Sequence, residues 1–198
     1  MENAPADAIR STAAFSPCGQ YRWWLRRQWD GLNPLLLFVG LNPSRADARR
    51  DDPTLRRLMG FAQRWGFGAL EVVNLFARIS PSPALLKRAA EPVGDGNDLW
   101  IQRALLGIEG QSPRAVWVGW GNQGAWRSRD RAVLQLLQQQ GLGRSAAASA
   151  ELLCLGLTAA GQPRHPLYAP AGLLPQHLVL AQSDASGASC GSSLLLQR

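Results

Sequence analysis

Three polar or constrained residues follow directly after an apolar run in the sequence "LLLFVGLNPS". A continuous apolar run predicts a buried strand, and open α/β sheets bind ligands beyond the carboxyl ends of their strands. Pro43 restricts Asn42 to extended backbone and so pre-positions the Asn42 amide. We predict that Asn42 positions water or a sugar at a pocket mouth, and that Gly40, Pro43 and Ser44 contact substrate there. The alternative is a turn that only ends the strand.

A second amide interrupts the apolar run "EVVNLF" at Asn74. A buried amide that lacks a hydrogen-bond partner costs about 1–3 kcal/mol, so Asn74 needs a partner in the fold or in a ligand. Two hypotheses remain open here. Asn74 either binds a ligand at the end of its strand, or it makes a structural hydrogen bond to a neighbouring loop.

A histidine follows the last apolar run, in the sequence "GLTAAGQPRHPLY". An imidazole placed beyond a strand end is able to stabilise negative charge that develops during a reaction. His165 is therefore the second candidate catalytic residue, beside Asn42. The alternative is that His165 only anchors its loop.

Arginines and aspartates alternate after the Asn-Pro-Ser turn, in "SRADARRDDPT". The arginines lie beside the predicted pocket mouth, which suits phosphate contact, although they also fit a solvated surface. The carboxylates do not predict a metal site, because the intervening arginines oppose a cation and Asp52 is explained as a helix cap. We expect no metal and no cofactor. The phosphate-binding candidates are Arg45, Arg49 and Arg50, and further candidates are Asp47, Asp52, Thr54, Asn97 and Asp98, with Asn97 capping a helix at the pocket rim.

The elements that must position these residues alternate along the chain. Four apolar runs, each predicted to be a strand, are separated by three stretches with helical periodicity. Strand-helix alternation predicts an α/β fold, with a mainly parallel central sheet and helices on both faces in a three-layer α/β/α arrangement. Before the first of these strands, "AFSPCGQYRWWLRRQW" splits at Pro17–Gly19 and predicts an N-terminal β-hairpin.

The ends of the chain differ in composition from its middle. We predict a flexible leader over residues 1–12, a single domain over 13–180 and a disordered tail over 181–198, which is rich in serine and glycine. The absence of a signal-peptide pattern and of an apolar run near the length of a membrane span predicts a cytoplasmic protein. The formal charge of +7 favours nucleic acid or a nucleotide as partner.

Several motifs in this order resemble a bacterial and phage family catalogued as domain of unknown function 1643. They are "FSPCGQYRWWLRRQW", "VGLNPSRADARRDDPTLRRL", "VVNLFARISPSP", "PVGDGND" and "HPLY". The resemblance extends from Ala13 to about Pro170. It implies no activity by itself, so the individual residues carry the functional argument.

The order of the motifs also resembles the uracil-DNA glycosylase superfamily. In that superfamily the first strand ends in a Gly-x-(Asp/Asn)-Pro turn that carries a catalytic side chain, and Gly40, Asn42 and Pro43 match it. A second strand carries an asparagine that reads the base edge, which corresponds to Asn74. The resemblance implies a fold of that type and a site that recognises a nucleobase.

Two later motifs extend this second resemblance. "GWGNQGA" is similar to the Trp-Gly-(Ser/Asn)-x-Ala end of the third strand and contains Trp120 and Asn122, and "HPLY" is similar to the final His-Pro-Ser loop and contains His165. The chain departs from the superfamily at two positions. Asn42 replaces the water-activating aspartate of many members, and Leu167 replaces the serine of the final loop.

The leading hypothesis is a glycosylase-like domain that acts on a nucleobase in DNA or in a free nucleotide. Asn74 would bind the base edge, His165 would stabilise the departing base, and Phe76 and Trp120 would offer stacking surfaces. One alternative is a non-catalytic module that binds modified or single-stranded nucleic acid. Another is an enzyme that acts on a small metabolite, for which the basic charge would be incidental.

Overall fold

The computed structural model describes residues 9–143, 150–180 and 194–196. Within them the chain forms eight strands and four α-helices. The predicted leader lies mostly outside the described residues, although Arg10–Thr12 belong to the first strand; the predicted tail also lies outside them except for the last strand. The elements are β1 (Arg10–Phe15), β2 (Arg22–Gln28), β3 (Leu35–Gly40), α1 (Pro53–Arg64), β4 (Ala69–Asn74), α2 (Pro83–Leu86), α3 (Asn97–Leu106), β5 (Ala115–Val118), α4 (Arg129–Gln139), β6 (Glu151–Cys154), β7 (Gln176–Leu180) and β8 (Leu194–Leu196).

The strands form one mixed sheet in the order β1-β2-β4-β3-β5-β6-β7-β8. The α/β class and the N-terminal hairpin are confirmed, because β1 and β2 pair antiparallel. The four central strands are parallel to one another, but β2 joins β4 and β7 joins β6 in the antiparallel sense. The predicted parallel arrangement is therefore confirmed for the four central strands, whereas the sheet as a whole is mixed. At one edge the reason is that no α-helix connects β6 to β7, and parallel neighbours need a crossover connection.

Alternate residues of β3 point to opposite faces of the sheet and contribute to two separate cores. Leu37 and Val39 belong to the core that contains buried residues of α3 and α4, such as Ile101. Leu36 and Phe38 belong to the core that contains the buried face of α1. Both faces of β3 are thus covered, which is why its sequence is apolar throughout.

The two long connections that follow β3 and β4 begin their helices differently. At α1 the Asp52 carboxylate accepts a 2.8 Å hydrogen bond from the Leu55 N–H and Pro53 takes the first helical position, as predicted. At α3 the N-cap is Gly96, with a φ of 77°, and its first residue is Asn97. The prediction that Asn97 caps this helix is wrong, because its side chain instead turns inward to β4.

None of the helices within the described residues has both the length and the apolar character that a membrane span requires.

Candidate functional site

A cavity of about 790 Å³ lies beyond the carboxyl ends of β3, β4 and β5. The parallel register of these strands brings their ends to one edge of the sheet, where Gly40 lies opposite Asn74. A volume of this size is typical of small-molecule sites. Nine residues predicted from the sequence line the cavity: Gly40, Asn42, Ser44, Asp52, Thr54, Asn74, Trp120, Asn122 and His165.

Asn74 is the last residue of β4, and its side chain makes no hydrogen bond to the residues that the structure describes. It is only 3% exposed, and its Nδ2 is fully buried without a hydrogen bond within the described residues. The Oδ1 lies close to Gly40, where an added Cβ would sit 3.0 Å from it. An unpaired buried amide carries a cost in free energy, and because Asn74 lines the cavity, a ligand or a water molecule that enters there is a candidate partner.

The backbone of Asn74 is held from behind by residues that do not line the cavity. The Nδ2 of Asn97 donates to the carbonyl oxygens of Asn74 and Leu75, at 3.0 and 3.1 Å. The Nε of Arg129 donates to the same Leu75 carbonyl at 2.7 Å, and its guanidinium pairs with Asp98. Asn97 and Asp98 therefore support the end of β4 through these contacts and do not line the cavity, contrary to the predicted position at the pocket rim.

The Asn42 side chain is fixed so that it presents an acceptor. Its Nδ2 donates to the carbonyl oxygens of Pro43 at 2.8 Å and Ser80 at 2.9 Å. Both amide hydrogens are thus engaged with backbone, and Oδ1 makes no hydrogen bond within the described residues. Asn42 is able to accept a hydrogen bond from water or from a ligand hydroxyl or N–H group, but it cannot donate one without breaking a loop contact.

His165 is held as a neutral imidazole that presents a donor. Its Nδ1 accepts a 3.3 Å hydrogen bond from the backbone N–H of Leu167, at the start of a short 3-10 turn over Pro166–Tyr168. Burial lowers the pKa of His165 below its ordinary value of 6.5. The proton of the neutral ring therefore resides on Nε2, which is the nitrogen left free for a hydrogen bond to a ligand.

Trp120 and Asn122 form a wall that the last loop holds in place. Trp120 is 1% exposed, and its Nε1 donates to Gln162 at 2.7 Å, while Gln162 in turn donates to Asp130 at 2.7 Å. The Oδ1 of Asn122 accepts a 2.6 Å hydrogen bond from the Thr158 hydroxyl. Trp120 is thus held in the wall by these contacts and exposes almost none of its ring as a stacking surface.

Two of the predicted substrate-binding residues lie elsewhere. Phe76 is fully buried in the core and packs against Trp126, with 5.0 Å between ring centroids, so it does not line the cavity. Pro43 is buried and does not line the cavity. Its carbonyl oxygen accepts hydrogen bonds from the Asn42 amide and, at 2.9 Å, from the Ser80 N–H. The interpretation of Phe76 as a stacking surface is therefore wrong.

The charged segment after the turn folds back on itself. Arg45, Arg49 and Arg50 are exposed and do not line the cavity. Asp47 Oδ1 accepts the backbone N–H groups of Arg49 and Arg50 at 2.7 and 2.8 Å, and these hydrogen bonds lower the pKa of Asp47. Among the described residues, no three His, Cys, Asp or Glu side chains are grouped so as to hold a metal ion.

Sequence reasoning missed one buried cation in the cavity wall, Arg22 at the start of β2. It is 4% exposed, and its Nη1 donates to the Ala46 carbonyl oxygen at 2.7 Å. Burial lowers the pKa of Arg22 to about 10, partly offset by the charge of Asp52, so the guanidinium remains charged at neutral pH. Its signal in the sequence was an arginine beside the aromatic residues of "YRWW".

Comparison with curated proteins and with solved structures gave no match. The model of one protein family, described as "Protein of unknown function (DUF1643)", matches residues 22–167. This range contains β2 to β6, the whole Asn42 turn and the His165 loop. The chain therefore belongs to the DUF1643 family of proteins of unknown function.

Proposed function

We propose that the cavity recognises a nucleobase and that the protein hydrolyses the N-glycosidic bond of a nucleotide, free or in DNA. The observation that carries this proposal is the Asn74 amide, which is buried, lines the cavity and lacks a partner within the described residues. An amide offers one acceptor and two donors, which complement the edge of a base. A ligand that supplies this pairing removes the cost of the unpaired group.

Two further groups would act on the sugar and on the departing base. Asn42 Oδ1 would accept a hydrogen bond from the attacking water or from the sugar, since its amide hydrogens are engaged with Pro43 and Ser80. The Nε2–H of His165 would donate to the negative charge that develops on the departing base. A donor of this kind contributes about 10²–10³ in rate.

The proposal includes a fold like that of the uracil-DNA glycosylase superfamily. The support is the order of the motifs along the chain, together with the position of Gly40 opposite Asn74 at the ends of neighbouring parallel strands. The formal charge of +7 supports a nucleic acid or a nucleotide as partner. We propose that the protein binds this partner in the cytoplasm.

One observation favours a second candidate function, a module that binds a base without cleaving it. Asn42 has no carboxylate to accept a proton from water. Asp52 is the carboxylate among the described residues that line the cavity, and its oxygens accept hydrogen bonds from the Leu55 and Ala46 N–H groups. A general base is therefore less evident than a binding site.

The test is mass spectrometry of free bases released from oligonucleotides and nucleotides that carry uracil, hypoxanthine or hypermodified pyrimidines. We expect release by the wild type and its loss in Asn42→Ala, Asn74→Ala and His165→Ala. The matched controls are Asn33→Ala and His177→Ala, which change exposed residues outside the cavity. Binding without release, abolished by Asn74→Ala, would favour the binding module. If the protein neither released nor bound a base, both candidate functions would be overturned, and an enzyme that acts on a small metabolite would remain.

A further inference from the structure

Arg22 is a buried cation without an ion pair within the described residues. Its Nη1 donates to a backbone carbonyl, its Nε is buried without a partner, and its Nη2 makes no hydrogen bond in the described part of the chain. No carboxylate of those residues pairs with it within 4.0 Å. Because the side chain lines the cavity and Nε is itself enclosed, Nη2 is the group placed to meet a ligand there.

The two other arginines of β2 show what a buried arginine of this strand otherwise requires. Arg26 pairs with Glu71 at 2.9 Å, and Arg27 pairs with Asp51 at 2.8 Å. Removing a charge from water without a counter-ion costs several kcal/mol. Of these three arginines, Arg22 lines the cavity, and it is the one that forms no ion pair with a carboxylate within the described residues.

We propose that Arg22 binds the phosphate group of a free mononucleotide, inside the same cavity that receives the base. This proposal rests on the proposed function, because it assigns a second part of the same ligand. A guanidinium matches phosphate geometry through parallel N–H groups, and it binds phosphate more strongly where water is excluded. Thr54, in the first turn of α1, lines the same cavity, and its backbone N–H makes no hydrogen bond within the described residues. This end of α1 adds the favourable field of a helix N-terminus.

Asp52 does not take the place of this anion. Its charge lies near enough to support the Arg22 cation, but its oxygens accept the N–H groups of Leu55 and Ala46. The wall therefore holds one carboxylate engaged with backbone and one guanidinium with free donors. A phosphate that bridges the Arg22 donors and the first turn of α1 would complete this arrangement.

The burial of Arg22 favours a free nucleotide over a continuous strand. A side chain that is 4% exposed contacts only a phosphate that has entered the cavity. A phosphodiester inside a strand would have to carry both neighbouring nucleotides in with it. The exposed arginines Arg45, Arg49 and Arg50, which suit a strand at the surface, lie outside the cavity lining.

The experiment is calorimetric titration with nucleoside 5′-monophosphates, the matching nucleosides and single-stranded oligonucleotides. We expect the wild type to bind a monophosphate about 10- to 100-fold more tightly than its nucleoside, the range for a charge-assisted hydrogen bond. In Arg22→Gln this ratio should fall to about one. The matched control is Arg164→Gln, which removes an exposed arginine of the same cavity and should keep most of the ratio.

A second measurement keeps the proposal falsifiable if Arg22→Gln fails to fold. Inorganic phosphate should compete with the monophosphate for the wild type, and it should not compete with the nucleoside. Equal affinity for nucleoside and monophosphate would overturn the phosphate site and leave base recognition standing. Phosphate-dependent binding that Asn74→Ala leaves unchanged would support Arg22 and overturn the proposed function. Tighter binding of an oligonucleotide, equally sensitive to Arg22→Gln, would overturn the free nucleotide as ligand.

Discussion

The Nδ2 of Asn97, a residue that does not line the cavity, donates a 3.0 Å hydrogen bond to the backbone carbonyl oxygen of Asn74. The two side chains therefore divide two tasks. Asn74 offers its amide to the cavity, while Asn97, which is 1% exposed, fixes the peptide that carries it. Asn97 is a positioning residue for the candidate site and does not contact a ligand in the cavity.

We expect Asn97→Ala to weaken ligand binding although the residue is outside the cavity. The change leaves the carbonyl oxygens of Asn74 and Leu75 without this donor, so the free energy of unfolding should fall by about 1–3 kcal/mol. Calorimetric titration with a nucleoside and denaturant unfolding measure the two effects. Asn97→Asp removes the donor but keeps the side-chain size, and it should weaken binding similarly. Unchanged affinity in both variants would show that Asn97 is only a stability residue.

We expect Gly40→Ala to disturb the Asn74 amide by direct contact. A Cβ at this position would lie 2.9 Å from the Phe38 ring and 3.0 Å from Asn74 Oδ1, which is closer than side chains normally pack. Nucleoside affinity should therefore fall about tenfold or more, by the cost of overpacking. The matched control is Gly60→Ala in α1, where the added Cβ would meet only the end of Arg64 at 3.5 Å. Equal affinities in the two variants would contradict the prediction.

Local signals predicted the central part of the fold and the turn at its edge. Three of these signals depend only on residues close in the chain, so the sequence is enough to predict them: the apolar run of β3, the Asp52 cap and Pro53 at the start of α1. Asn74 was detectable for a similar reason, since it is polar within an apolar run. The antiparallel pairing at the edges of the sheet was not detectable, because strand pairing depends on contacts between segments that are distant in the chain.

The rest of the site depends on where side chains turn in three dimensions. Asn97 follows a glycine-rich loop and had the pattern of a helix cap, but positive φ angles at Gly94 and Gly96 start the helix one residue earlier and turn its side chain inward. Arg22 is one of three buried arginines on β2, and the sequence does not show which of them meets a carboxylate. Phe76 follows the strand end and packs into the core.

Asn42→Asp should destabilise the protein more than Asn42→Ala at neutral pH. The introduced carboxylate would place an oxygen against the carbonyl oxygens of Pro43 and Ser80, which now accept hydrogen bonds from the Asn42 amide. We expect a loss of about 1–3 kcal/mol in the free energy of unfolding for the alanine variant and a larger loss for the aspartate variant. Denaturant unfolding measures both. An aspartate variant as stable as the wild type would show that this turn tolerates either amide or carboxylate.

Glu71 should make the stability of the protein fall as the pH rises through the weakly acidic range. It is fully buried on β4, and burial raises its pKa to about 7 although the ion pair with Arg26 acts in the opposite direction. Between about 4.5 and about 7 the folded chain holds a proton that the unfolded chain has released, so the free energy of unfolding decreases with pH. Glu71→Gln should remove this decrease. Denaturant unfolding at several pH values measures this dependence for the wild type and for Glu71→Gln. The prediction would be contradicted if the free energy of unfolding changed with pH equally in the two proteins.

His165 should titrate below the ordinary range and should lose its role when it is protonated. The chain has two histidines, so in the variant His177→Gln the remaining imidazole signal in a nuclear magnetic resonance spectrum belongs to His165. We expect a pKa below 6.5 and, above it, a proton on Nε2, because burial disfavours the cation and Nδ1 accepts the Leu167 N–H.

The depressed pKa of His165 also fixes the direction of the pH dependence. The folded chain binds fewer protons at this site than the unfolded chain, so this contribution to stability is present above pH 6.5 and decreases as the pH falls towards the pKa of the folded state. Protonation turns Nδ1 into a donor that faces the Leu167 N–H, so the loop contact breaks. Base release should fall over the same range. Release that rises on acidification would instead indicate that the imidazolium is the active form.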